Sequence, residues 1–176
     1  MSISYIPQMA SRQLNATAAS LLGFLHRGPM TGWELMRTAE QSIGDFWSLT
    51  QSQVYRELAQ MADQGLVTAG ERGQRERRPY DLTDAGRAAF RDWALEPPGE
   101  ETIRFPLLLA LNFGAHIPAD RLAAFVAHHR AIHQARLTQY ELDSLSQIDD
   151  PYRKATLDFG LAYERAVLGW FDRLEI

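Results

Sequence analysis

The sequence from Thr50 to Gly86 is TQSQVYRELAQMADQGLVTAGERGQRERRPYDLTDAG, and it contains the most informative pattern of the chain. Its first part predicts a helix, because Val54, Leu58 and Met61 recur at spacings of four and three and therefore share one face. Gly65 stands where a left-handed residue ends a helix. The next segments, LVTA and RPYDL, have strand composition and flank a basic loop that contains glycine. Together these features predict a helix followed by a β-hairpin.

Capping residues outside the helix and hairpin predict three more helices. Asn15 or Thr17 is a candidate N-cap for the first of them. Thr31 and Glu34 lie three residues apart, the spacing of a capping box, and predict the start of the second. Thr83 is the candidate N-cap of the helix that follows the hairpin. The order helix, helix, helix, hairpin, helix is that of a winged helix-turn-helix.

A proline-rich connector divides the chain. The segment EPPGEET, from Glu96 to Thr102, cannot continue a helix, and the pattern beyond it is helical throughout. Pro118 and Pro151 stand at predicted helix starts. We therefore expect a mainly α chain with a small β-hairpin wing. The predicted parts are a winged helix-turn-helix at 10–95, a linker at 96–102 and an all-α dimerisation domain at 103–176.

The last predicted helix carries two apolar stripes. One consists of Phe159, Tyr163, Val167, Trp170 and Leu174, and the other of Leu157, Leu161, Leu168 and Phe171. A unit of this size covers one stripe with its own helices, so the second stripe requires another partner. We expect that partner to be a second copy of the chain, packed on the stripe that begins at Phe159.

Composition excludes several classes of protein. The chain of 176 residues is 45% hydrophobic and 23% charged, which is ordinary for a globular protein. It has no cysteine, so disulfides, thiolate metal sites and cysteine nucleophiles are excluded. The sequence shows no signal peptide and no apolar run of the roughly 18 residues that span a membrane, so we expect a cytoplasmic protein.

The charges are segregated along the chain. The net charge is −4, yet residues 1–95 carry ten arginines against ten acids, whereas residues 96–176 carry eight bases against twelve acids. The acidic excess therefore lies in the second half. The predicted hairpin loop holds four arginines within a neutral first half, and a solvated loop seldom needs so many.

Four segments together resemble the PadR family of bacterial transcriptional regulators. They are GPMTGWEL (28–35), SQVYRELAQMADQGLV (52–67), RRPYDLTDAGR (77–87) and RFPLLLALNFGAHIP (104–118), and the resemblance covers most of the chain. One position departs from the family, which often has Gly-Thr or Gly-Ala where Gln53-Val54 precede Tyr55. The resemblance implies a homodimeric DNA-binding repressor that recognises a pseudo-palindromic operator and in some members responds to a small aromatic or hydrophobic effector.

Candidate DNA contacts follow from the chemistry of the predicted helix and wing. The start of a recognition helix reads base edges through short and amide side chains, and glutamine pairs with adenine N6 and N7. Tyrosine and arginine contact phosphates, and arginines on a wing lie along the backbone or enter the minor groove. The candidates are Trp33, Thr50, Gln51, Ser52, Gln53, Tyr55 and Arg56 in the helical part, and Arg72, Arg75, Arg77, Arg78 and Tyr80 in the wing.

Other interpretations of the sequence stay open. A polar helix face is also expected of a solvated surface, and winged helices also serve as protein interaction modules without specific DNA binding. His129 and His133 share a helix face at metal-ligand spacing, but no third ligand is evident, so we expect no metal site and no cofactor. Trp93 is a candidate effector contact, with core packing as the alternative. The sequence contains none of the short motifs that mark common enzyme active sites, so we expect no catalytic residues.

Overall fold

The computed structural model describes residues 14–44, 46–71, 78–101, 103–146 and 148–175. The chain divides into two compact units between Glu100 and Glu101. The first unit contains α1 (Ala16–Leu25), β1 (Met30–Thr31), α2 (Gly32–Ile43), α3 (Gln51–Asp63), β2 (Val67–Ala69), β3 (Pro79–Leu82) and α4 (Asp84–Ala94). The second contains α5 (Pro106–Asn112), a 3₁₀ turn (Gly114–His116), α6 (Ala119–Ser144) and α7 (Pro151–Phe171).

Local side-chain caps start most of the long helices. Asn15, Thr31, Thr50 and Thr83 are the N-caps of α1, α2, α3 and α4, and each accepts a hydrogen bond from a backbone N–H of the first turn. Asp150 does the same for α7, where its side chain accepts from two backbone N–H groups. These bonds satisfy donors that a helix start otherwise leaves unpaired. The caps predicted at Thr31 and Thr83 are confirmed, and Asn15 rather than Thr17 caps α1.

The sheet of the first unit is larger than predicted. Within the described residues its strands are antiparallel and ordered β1-β3-β2, so β3 lies in the centre. Val67 pairs with Leu82 in the predicted hairpin, and Met30 pairs with Tyr80 on the other side. The sequence predicted only the hairpin, because a strand of two residues has no alternation to detect.

The core of the first unit gathers the apolar faces of its helices around the sheet. Its most buried side chains include Leu21, Leu22, Leu25, Leu35, Val54, Leu58, Met61 and Val67. The burial of Val54, Leu58 and Met61 confirms the predicted inner face of α3. Each fully buried Leu contributes roughly 1.5–3 kcal/mol relative to an exposed one, so this core holds α1, α2, α3 and the hairpin in one arrangement.

The second unit is a helical pair with a short helix packed on it. Helix α7 packs along α6, and α5 packs on α6. Their shared core is Leu107, Leu137, Leu161, Leu168 and Phe171. The predicted starts at Pro118 and Pro151 are confirmed, since Pro118 is the N-cap of α6 and Pro151 opens α7. None of the helices that the structure describes is long and apolar enough to cross a membrane.

Candidate nucleic-acid interface

Helix α3 begins with a closed capping box. The Thr50 Oγ1 accepts a hydrogen bond from the Gln53 N–H at 3.3 Å. In return, the Gln53 Oε1 accepts from the Thr50 N–H and from the Thr50 hydroxyl, each at 2.9 Å. The first turn of α3 is therefore ordered before any ligand binds, because both orphan N–H groups have side-chain partners.

The capping box changes the role expected of Gln53. Bidentate pairing with adenine needs the amide oxygen as an acceptor and the amide nitrogen as a donor. In this structure the Gln53 oxygen already accepts two hydrogen bonds from Thr50. Gln53 therefore presents its amide nitrogen alone, unless the capping box opens.

The outer face of α3 is polar and exposed at its start. Gln51, Ser52, Tyr55 and Arg56 are all exposed, whereas Val54, between them, is fully buried. Ser52 lies beside the cap, with its Oγ 3.1 Å from the Thr50 Oγ1. The first two turns of α3 thus present amide, hydroxyl, phenol and guanidinium groups on one accessible surface.

The Tyr55 ring packs against the start of α2 because that helix begins with glycine. A Cβ on Gly32 would lie 2.7 Å from the Tyr55 ring, so the ring covers the start of α2. The neighbouring Trp33 is 44% exposed, and the Arg37 guanidinium lies 5.1 Å from its ring centroid. The start of α2 therefore adds an aromatic and cationic group next to α3.

Helix α3 also carries a buried carboxylate. Glu57 is only 6% exposed, and its Oε2 accepts a hydrogen bond from the Asn15 Nδ2 at 3.0 Å. Its Oε1 accepts from a terminal nitrogen of Arg56 at 3.4 Å. Glu57 thus connects the N-cap of α1 to an exposed arginine of α3.

In the described part of the wing, an arginine side chain bonds backbone carbonyls of the hairpin. Arg78 donates from Nε to the Gly70 carbonyl at 3.0 Å and from a terminal nitrogen to the Ala69 carbonyl at 3.4 Å. These bonds hold the returning strand against the end of β2. Tyr80 is half-buried against the core in β3. The predicted contacts Arg72, Arg75 and Arg77 lie outside the described residues.

Trp93 packs within the first unit. Its ring centroid lies 6.0 Å from that of Phe90, and Phe90 in turn lies 4.8 Å from His26 at the end of α1. Trp93 is half-buried in this aromatic row.

The apolar stripe predicted for dimerisation has two parts. Phe159 and Tyr163 are 65% and 39% exposed, and their rings stack with centroids 6.2 Å apart. Val167, Trp170 and Leu174 are half-buried against the core of their own unit. The accessible part of the stripe is therefore its N-terminal end.

One histidine of the pair at 129 and 133 contacts a buried carboxylate. His133 is 3% exposed, and its Nδ1 lies 2.5 Å from an oxygen of Glu164, which is 2% exposed. Burial lowers the pKa of His129 below 6.5, and the neighbouring His128 and His133 lower it further. Among the described residues, no group of three or more metal-ligating side chains lies close enough to hold an ion.

Sequence reasoning missed Glu57 and Glu164, although both leave a detectable pattern. Glu57 lies three residues after Val54 and four before Met61, on the apolar face of α3. Glu164 lies three residues after Leu161 and four before Leu168 in α7. An acid on an apolar stripe predicts a buried carboxylate that needs a partner.

Comparison with known proteins covers both units. The Transcriptional regulator PadR-like family matches residues 21–92, and the Virulence activator alpha C-term family matches residues 103–175. The Negative transcriptional regulator PadR of Bacillus subtilis is 25% identical in an alignment of 169 residues, and the alignment covers 88% of this chain and 93% of that protein.

Solved structures of the same relative share the fold. Bacillus subtilis PadR in complex with operator DNA has a TM-score of 0.72 at 23% identity, over 90% of this chain and 96% of that one. Its complex with p-coumaric acid has a TM-score of 0.66 at 22% identity, over 90% and 96% of the two chains. The matched proteins are transcriptional regulators rather than enzymes. This chain therefore carries a domain of the Transcriptional regulator PadR-like family at residues 21–92, followed by a Virulence activator alpha C-term domain at residues 103–175.

Proposed function

We propose that this PadR-type regulator binds DNA sequence-specifically as a homodimeric repressor, with α3 in the major groove. The observation that carries the proposal is the start of α3, where a closed capping box orders an exposed turn of hydrogen-bonding side chains. A recognition helix needs such a turn, because its N-terminal residues contact base edges. The relative crystallised in complex with operator DNA has the same fold.

Two classes of contact are assigned along α3. Gln51 and Ser52 are the principal base-reading candidates, because they are exposed on the first turn and neither supplies the capping carbonyl. Gln53 keeps a secondary role through its amide nitrogen. Tyr55 and Arg56 are candidates for phosphate contact, as is Trp33 at the start of α2, and such contacts position the helix without reading sequence.

The wing supplies further backbone contacts in this proposal. The positively charged side chains proposed to contact phosphates are Arg72, Arg75 and Arg77. Arg78 also bonds the backbone of the hairpin, and Tyr80 packs against the core. The double change Arg75→Ala with Arg77→Ala should weaken binding to every duplex and lower the magnitude of the salt slope by about 0.9 per lost contact. Unchanged salt slope in the double variant would remove the wing from the interface.

The second unit, at about 103–176, is proposed to form the dimer through Phe159 and Tyr163, with Val167, Trp170 and Leu174 beside them. Exposed stacked aromatics on an amphipathic helix favour this surface. Two-fold symmetry then predicts a pseudo-palindromic operator with half-sites about one or two helical turns apart. In this proposal the DNA-binding domain spans about residues 10–95, and the protein acts in the cytoplasm.

An effector is proposed by analogy with the relative that was crystallised with p-coumaric acid. A small aromatic or hydrophobic acid is the class to test. Trp93 is the candidate contact, because it is half-buried at the edge of an aromatic row. Quenching of tryptophan fluorescence that disappears in Trp93→Phe would support this assignment.

The decisive experiment is a gel shift of the purified protein on the DNA upstream of its own gene, across salt concentrations. A specific complex that weakens steeply with salt is expected, since phosphate contacts release counterions. A matched duplex of shuffled sequence is the control. Absence of a shift with any duplex would favour the alternative of a winged-helix protein interaction module.

A further inference from the structure

A carboxylate buried beside a proposed DNA-binding helix needs an explanation, because burying a charge is costly unless it is paired. The Glu57 side chain is 7% exposed, and both of its oxygens have partners. One partner, Asn15, belongs to α1, and the other, Arg56, is its neighbour in α3. Neither bond is part of the apolar core, so the core alone does not account for an acid at this position.

Asn15 is held in one orientation by its own helix. Its Oδ1 accepts the hydrogen bond from the Ala18 N–H at 2.9 Å that caps α1. The amide must therefore turn its Nδ2 toward Glu57, whose Oε2 accepts at 3.0 Å. Since the cap fixes Asn15 and Asn15 fixes Glu57, the carboxylate is a rigid anchor.

Arg56 is the exposed partner of this anchor. Its side chain is 59% exposed, and only a terminal nitrogen approaches Glu57, at 3.4 Å. A guanidinium carries five N–H donors in a planar fork, so it can bond a carboxylate at one edge and a phosphate at another. Exposed long side chains otherwise lose rotamer entropy when they bind.

We propose that Glu57 is a positioning residue, which holds the Arg56 guanidinium ready for a DNA phosphate and does not contact DNA itself. The inference rests on the proposed function, because it assumes that the exposed face of α3 meets the duplex. The chemical class of the ligand is the phosphodiester backbone, so the effect extends to duplexes of any sequence.

Glu57→Gln is the sharpest test, since the amide has the same shape and only one acceptor oxygen. Asn15 presents a donor that its capping bond prevents from flipping, so the Gln oxygen must face Asn15. The Gln NH₂ then faces the Arg56 guanidinium, donor against donor. The hydrogen bond to Asn15 is therefore kept, and the hydrogen bond to Arg56 is lost.

The measurement is a double-mutant cycle on full-length protein with Glu57→Gln, Arg56→Ala and the double variant. Binding is followed by fluorescence anisotropy on the DNA upstream of the gene and on a random-sequence duplex. We expect Glu57→Gln to weaken both by about threefold to tenfold in the wild-type background and to have no further effect once Arg56 is Ala. Asp63→Asn, on the exposed end of the same helix, removes the same charge as a control.

A second variant keeps the test independent of folding. Arg56→Lys changes an exposed side chain and retains its charge, but an ammonium lacks the fork that bonds two oxygen ligands in a plane. We expect it to weaken binding about as much as Glu57→Gln. Thermal unfolding of each variant shows whether stability has changed.

The outcomes separate the two proposals. If wild-type protein binds neither duplex, the proposed DNA-binding function fails. If wild-type protein binds and Glu57→Gln weakens binding equally with and without Arg56, the role of Glu57 is structural and the inference is wrong. Tighter binding by Glu57→Gln would also overturn it, because Glu57 would then act only as a repulsive charge.

Discussion

Thr83 and Gly86 explain at atomic level why the segment LTDAG closes the hairpin. The Thr83 hydroxyl lies 2.8 Å from the Gly65 carbonyl and 2.9 Å from the Leu66 carbonyl, in the turn after α3. The same oxygen accepts from the Gly86 N–H at 3.0 Å, as the N-cap of α4. A Cβ on Gly86 would lie 2.1 Å from the Leu66 carbonyl oxygen. These two residues therefore dock α4 directly onto the backbone that links α3 to the wing.

Gly86→Ala should destabilise the first unit, because backbone rather than a flexible side chain occupies the space. Alanine is favoured over glycine inside a helix by about 1 kcal/mol, but overpacking costs about 1–3 kcal/mol, and the forced backbone shift places this site at the high end. Urea unfolding would measure the loss. Gly99→Ala is the control, since nothing lies within 4 Å of a Cβ built there. Equal stability of the two variants would contradict the close approach.

His129 should titrate below the ordinary range of histidine. Burial disfavours its charged form, and His128 and His133 add like charge when protonated, so all three causes lower its pKa. A lowered pKa means that the folded state binds this proton less readily than the unfolded state. His129 therefore contributes stability above about pH 6.5 that is lost as the pH falls toward its folded pKa. NMR titration of the ring protons would measure it, and a midpoint above 6.5 would contradict the predicted direction.

At the scale of elements, the helix starts are set by short-range bonds. The capping boxes of α2 and α3 each join residues three apart, Thr31 with Glu34 and Thr50 with Gln53. Such bonds form whenever the helix forms and do not depend on distant partners. They explain why the starts of α2 and α3 were predictable from the sequence.

Thr50→Ala should lower the free energy of unfolding by about 1 kcal/mol, the usual cost of a lost N-cap. The variant also frees the Gln53 side-chain oxygen from the Thr50 hydroxyl, so the base preference of the protein should change at one or two base pairs. Gln53→Glu is the matched variant, because it keeps the capping acceptor and removes the amide donors. Denaturation measures the first effect, and competition binding with substituted operators measures the second. Base preference unaltered in both variants would exclude Gln53 as a reader.

The interface between α6 and α7 includes a buried contact between His133 and Glu164. Glu164→Ala leaves the imidazole buried without its carboxylate, and removal of one partner of a buried pair typically costs about 3–5 kcal/mol. Glu141→Ala is the control, since its pair with Arg165 is exposed on the same two helices, where exposed pairs contribute about 1 kcal/mol or less. Thermal unfolding of both variants tests the difference. Similar losses of stability in the two variants would show that the buried pair contributes no more than the exposed one.

For the whole molecule, the prediction concerns assembly. Phe159→Glu with Tyr163→Glu places two charges on the exposed end of the proposed dimer stripe, where they should dissociate the dimer without unfolding the chain. Tyr152→Glu, at an 83% exposed position of the same helix, is the control. Analytical ultracentrifugation measures the mass. A double variant that still sediments as a dimer would move the interface elsewhere, as would a dimer that survives truncation near Glu96.

Most of the fold was predictable because its determinants are local. The inner face of α3 follows from the spacing of Val54, Leu58 and Met61, and the connector follows from the prolines after Glu96. The candidate site was predictable in part, since exposure of Gln51 and Arg56 follows from the same periodicity. The occupation of the Gln53 carbonyl by Thr50 did not enter that prediction, although a threonine and a glutamine at capping-box spacing indicate it.

The element order and the caps follow from the sequence alone, because they depend on residues within one or two helical turns of each other. The PadR-like resemblance follows from it too, through four segments spread over residues 28–118. The contacts between groups far apart in the chain follow only from the packing of the helices and the sheet. Met30 pairs with Tyr80, Glu57 bonds Asn15 42 residues away, and Glu164 bonds His133 across 31 residues. A periodic pattern shows that an acid lies on a buried face, but its partner depends on how the helices pack, and packing is a property of the whole core.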